Sequence, residues 1–235
     1  MKSLKESLLN RKKNIDVAGM AADAAEAYIN ANYAIECNLA FENINGVCIV
    51  NCDGDVKVKN KQIAKLTEEF IWGEVTGDFN CDFCNIKTLE GAPKKVGWNF
   101  NCAYCKNLDS LKGAPETVGG DFICAGCKNL KSLEGASETV GGFFDCTSCK
   151  NLKSLKGSPK KVDGTFNCSY CDSIQSLVGG PDIVGERFFC TSCKNLKSLK
   201  GAPKYVGKAF FCDKCENLTS LEGAPKGCQI HCDRS

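Results

Sequence analysis

The chain has 235 residues, with 30 Lys and Arg against 28 Asp and Glu; this near-balance gives no electrostatic case for a nucleic-acid binder, so nucleic acid is not an expected partner of the whole protein. No stretch approaches the ~20 apolar residues of a membrane span, and the first 13 residues, MKSLKESLLNRKK, hold no uninterrupted apolar core of a signal peptide. The 19 cysteines therefore read as free thiols in a reducing, cytoplasmic setting, and their odd number means that at least one cannot pair within the chain.

Ser3 with Glu6 three residues on has the form of a capping box, opening a short helix that runs to the basic cluster Arg11, Lys12 and Lys13. Asp16 then caps a second helix, because residues 17–35 are rich in alanine and carry Met20, Tyr28 and Ile35 on a modest apolar side. Residues 1–37 are thus expected to form a helical leader, packed on the rest as a cap or tether or free to dock elsewhere.

From Gly46 the texture changes to short apolar runs, Val47–Val50 and Val56–Val58, with Asp53-Gly54 between them as a turn or hairpin signal. Val56, Val58, Ile63 and Leu66 keep the spacing of Phe79, Cys81, Ile86 and Leu89 further on. Residues 38–78 therefore read as an N-terminal cap built on a degenerate repeat, since terminal repeats meet solvent on one face and drift from the consensus.

Residues 79–235 then hold seven copies of a 22-residue unit and a truncated eighth. Its first cysteine falls at Cys81, Cys102, Cys124, Cys146, Cys168, Cys190 and Cys212, and its second three residues later, from Cys84 to Cys215. A fixed period in this range marks a solenoid, because one short unit cannot bury its apolar face without stacking on its neighbours. Phe122 and Cys124 are two apart and point to one side of a strand, so Phe79, Phe100, Phe122, Phe144, Phe166, Phe188 and Phe210 form an inward row. Leu130, Leu133, Ala136 and Val140 supply the remaining inward positions, with Gly135 and the frequent prolines at one corner and Gly141-Gly142 at the other.

The segment Phe122, Cys124, Cys127, Leu130, Leu133 is similar to the leucine-rich-repeat signature, with phenylalanine and cysteine in place of strand leucines. With its GAPxxVGG ending, as around Gly113 to Gly120, and the leader MKSLKESLL, the chain resembles cysteine-containing repeat proteins of tailed bacteriophages. The resemblance implies a leucine-rich-repeat-like solenoid of short parallel strands with loop or short helical returns, found in the host cytoplasm or with the virion.

The outward strand positions are the expected protein-binding face: Asn101, Asp145, Asn167, Phe189 and Phe211, flanked by Arg187. Exposed aromatics there suit a protein partner or self-association. Two further surfaces are candidates. Cys212, Cys215, Cys228 and His231 read C-x2-C-x12-C-x2-H, a spacing that suits structural zinc. Lys106, Lys128, Lys150 and Lys194, joined by Lys131, Lys153 and Lys197, form a ladder that suits an anion such as nucleic acid or polysaccharide, or simply pairs with Glu90, Glu134 or Glu222. No thiol or hydroxyl nucleophile has a histidine base in reach of a motif, and the CxxC pairs follow strands rather than open helices, so a catalyst is not expected.

Overall fold

A computed structural model describes residues 21–67 and 70–233. It is a parallel β-solenoid of about eight turns, preceded by one short helix over residues 21–32. Ser3, Glu6 and Asp16 lie outside the described residues. The helix packs Ala25 and Ile29 into the end of the solenoid.

The leader is shorter than expected at its far end, since residues 33–37 belong to β1 (Tyr33–Ile44), which pairs antiparallel with β2 (Val47–Val58). The hairpin turn is Asn45-Gly46, both with positive φ (54° and 82°), and Gly54 sits inside β2. An Asn-Gly pair is the stronger hairpin signal because both central residues of a type I′ turn need that left-handed backbone. β2 is long enough to feed both sheets of the solenoid: Val50 pairs with Trp72 of β3 (Ile71–Val75), and Val56 pairs with Phe79. Val56 and Val58 are buried in the phenylalanine and cysteine rows.

Two rows of short parallel strands run the length of the solenoid. The front row comprises Phe79–Asn80, Phe100–Asn101, Phe122–Ile123, Phe144–Asp145, Phe166–Asn167, Arg187–Phe189, Ala209–Phe211 and Gln229–His231. The return row, from Lys95–Val96 to Tyr205–Val206, buries one valine per turn. Among the described residues the returns hold strands and turns, and no helix.

Successive phenylalanines are in strict register, Phe122 beside Phe144 beside Phe166, with ring centroids 5.1 to 5.8 Å apart from Phe79 to Phe210. Each ring is fully buried, which contributes about 1.5–3 kcal/mol per side chain before entropy is counted. The row explains why this unit stays in register: a one-residue slip in any strand turns a phenylalanine to solvent.

Candidate binding face

Behind each front strand the chain turns through its CxxC segment. In that turn the second thiol donates to the carbonyl oxygen of the first cysteine one repeat earlier: Cys105 to Cys81, Cys127 to Cys102, Cys149 to Cys124, and on to Cys215 and Cys190, at 3.1 to 3.3 Å. Burial pushes Cys84 up to about 11, Cys105 to about 12 and Cys127 higher still, whereas the hydrogen bond with Cys190 lowers Cys215 at the far end of the row. A thiol held protonated is a poor nucleophile and a poor metal ligand. The cysteine rows therefore serve packing and backbone satisfaction.

Seventeen cysteines carry free thiols among the described residues, but Cys52 in the N-terminal hairpin is disulfide-bonded. That corrects the expectation of thiols free throughout.

The four-ligand zinc set does not assemble. Cys212 and Cys215 are buried within the solenoid, whereas the ring of His231 stacks on Phe211 at 4.4 Å on the outer face. Alternation in a strand separates them, because Phe211 pairs with His231 and so puts Cys232, not the histidine, in the row of Cys212. Among the described residues no group of three or more His, Cys, Asp or Glu is placed to hold a metal.

Asn101, Asp145 and Asn167 lie on the outer strand face, half-buried, and each is occupied in its own turn. Their Oδ1 atoms accept the backbone N–H two residues on, at Ala103 (2.9 Å), Thr147 (2.9 Å) and Ser169 (3.0 Å). These are Asx turns, which prepare the tight bend of the CxxC segment. A neighbouring ladder at the opposite corner works across repeats. Asp78 Oδ1 accepts the Asn99 amide, Asn99 Oδ1 the Asp121 amide, and Asp121 Oδ1 the Phe143 amide, at 2.7 to 2.8 Å.

Phe189 and Phe211 are also half-buried, because they stack on each other at 4.5 Å and on His231 beyond. Arg187 is exposed beside them. The aromatic run is continuous to the end of the solenoid.

A further set of exposed aromatics lies one turn on and does not follow from strand alternation. The third residue of each CxxC segment adopts a left-handed backbone: φ is 55° at Phe83, 57° at Tyr104, 69° at Gly126, 61° at Ser148, 60° at Tyr170, 58° at Ser192 and 55° at Lys214. Phe83, Tyr104 and Tyr170 are each about half exposed at this position. Phe83 and Tyr104 stack at 4.9 Å, and the Tyr104 ring lies over Gly126, where an added Cβ would fall 2.5 Å from Tyr104 Cδ1. The sequence signal was available: the aromatics recur at one fixed offset from the cysteines, at 83, 104 and 170.

The lysine ladder is exposed as expected. Lys150 pairs with Asp172 at 2.9 Å, but Glu90 and Glu134 pair with Lys112 and Lys156, not with the ladder. Lys106, Lys128, Lys131, Lys153, Lys194 and Lys197 enter no salt bridge among the described residues.

No family model matches the chain, and neither a curated protein nor a solved structure is similar to it. No helix among the described residues is long and apolar enough to cross a membrane.

Proposed function

We propose that this protein is a non-catalytic scaffold that binds another protein through its front strand face and the adjoining CxxC turns. One observation carries the reading: bulky aromatic residues, Phe83, Tyr104 and Tyr170, occupy a left-handed backbone position and are left half exposed. A non-glycine residue in that region costs roughly 1–2 kcal/mol, and glycine, serine or lysine fills the same position in the other repeats. The left-handed turn recurs in every repeat, so what sets these three apart is the exposed ring carried on it. Phe189, Phe211 and Arg187 extend the same face towards the C-terminal end. Aromatic and arginine side chains are those that anchor protein interfaces.

The motif with its cysteine rows supports a leucine-rich-repeat-like origin in a tailed bacteriophage, and the partner is then a host or virion protein. A photo-crosslinking residue placed at position 104 or 170, in the cells where the protein acts, is expected to capture a discrete partner. The same residue at exposed Lys204, on the return row, is expected to capture none. Equal capture from both faces, or none from either, overturns the reading.

A second reading rests on the unpaired lysines. An anionic polymer along Lys128, Lys131 and Lys153 would relieve their mutual repulsion, and its binding would weaken steeply with salt. Binding to heparin or DNA that is unchanged between low and moderate salt excludes it.

A further inference from the structure

The terminal strand Gln229–His231 pairs on one side with Ala209–Phe211. The His231 carbonyl accepts the Cys212 amide at 2.9 Å, and the Gln229 amide donates to the Lys208 carbonyl at 3.3 Å. Those two residues therefore turn their backbone groups towards the stack. Alternation turns the N–H and C=O of Cys228, Ile230 and Cys232 the other way, out of the end of the solenoid. Ile230 takes the place of a core phenylalanine, yet it is 38% exposed where Phe210 is fully buried. Cys228, Cys232, Leu218 and Leu221 beside it are only partly covered. An uncovered strand edge over an apolar end is a template for another strand.

We propose that two copies of this chain join end to end through this strand, antiparallel, about a two-fold axis at Ile230. The pattern is self-complementary in one register. Ile230 opposite its own copy exchanges both backbone hydrogen bonds, as outward-facing residues of an antiparallel pair do. Cys228 then faces the partner copy's Cys232 on either side of the axis, again with both outward-facing groups matched. One step further Asp233 lies opposite Gly227. The interior faces coincide, so the partly covered leucines of both ends close one continuous core. The alternative edge, β1, would give an open filament rather than a closed pair, and its twelve residues are poorly matched to a strand of three.

The register supplies its own test. Opposed residues in such a pair have Cα atoms about 5.5 Å apart, within the reach of a disulfide. Within one chain, Cys228 and Cys232 stand four residues apart on an extended strand, about 13 Å, and cannot bridge. The full chain is expected to sediment at twice its 25.3 kDa mass, and Ile230→Asp at that mass once. Diamide, taking the two thiol hydrogens as the disulfide forms, is expected to trap a covalent dimer. Cys228→Ser alone and Cys232→Ser alone are each expected to lose it. Mixing the two variants is expected to restore a dimer, since one retains the thiol that the other lacks. A single-copy mass at all concentrations, a filament, or a covalent dimer that survives both serine variants overturns the proposal.

Discussion

The thiol of Cys127 donates to the carbonyl oxygen of Cys102 at 3.2 Å, and both groups are fully buried. The bond ties one turn of the solenoid to the turn before it. Cys127→Ala removes the donor and opens a small gap at the same time. Leaving a buried carbonyl without a partner costs about 1–3 kcal/mol, so a loss of about 2 kcal/mol is expected in urea unfolding. A loss below about 0.5 kcal/mol would mean that the sulfur is only filler.

Thiol chemistry gives a second expectation. In denaturant without reductant, 17 thiols should react with Ellman's reagent, and 19 after reduction. In the native protein the buried thiols of the cysteine rows should react slowly. The buried thiols also set an alkaline limit. For Cys81, Cys84, Cys102 and Cys105 the folded values lie above the 9.0 of an ordinary cysteine, with Cys84 at about 11 and Cys105 at about 12, because burial disfavours the thiolate. The unfolded chain therefore loses protons first. Stability from these groups is fully present below pH 9 and falls as the pH rises through the values of the folded thiols. Thermal melts from pH 7 to 11 should show a plateau and then a decline; a flat profile would place the thiols in a wetter setting.

The period, the inward phenylalanines and the stacking were legible in the sequence because each is a spacing, and a spacing survives without coordinates. Asn101 and Asp145 were readable as outward, but not as engaged, since an Asx turn and a partner-facing side chain share the same strand position. Tyr104 and Tyr170 escaped because the sign of φ is not written in residue type: Gly126 marks the left-handed position and the tyrosines at the same offset do not. His231 looked like a metal ligand only while its side of the strand was unassigned. The Asn45-Gly46 hairpin was legible, and Asp53-Gly54 drew attention from it because both dipeptides favour turns.

The corners test how tightly the turns are spaced. A Cβ on Gly141 would fall 2.0 Å from the carbonyl oxygen of Gly119, which is backbone and has no freedom to move aside. Gly141→Ala is expected to cost about 3 kcal/mol, at the upper end of overpacking. Asp121→Ala, which removes the acceptor for the Phe143 amide at the neighbouring position, should cost about 1 kcal/mol. Asp121→Asn keeps the acceptor and should lie close to the parent chain. Chemical denaturation of the three variants orders them; an Asn variant as weak as the Ala variant would show that the negative charge, not the hydrogen bond, matters at this corner.

Tyr170 separates use from stability. Its φ of 60° suits asparagine better than tyrosine, and its ring is half exposed and stacks on no other ring among the described residues. If the tyrosine is held there for a partner, Tyr170→Asn should raise stability by up to about 1 kcal/mol through relief of that strain. The same change should lower the partner capture obtained from position 104. Natural surfaces used for binding are expected to trade stability for function in this way. A variant that melts earlier would show that the ring supports its own turn, and one that melts later with capture unchanged would remove Tyr170 from the binding face while leaving Phe83 and Tyr104 as its centre.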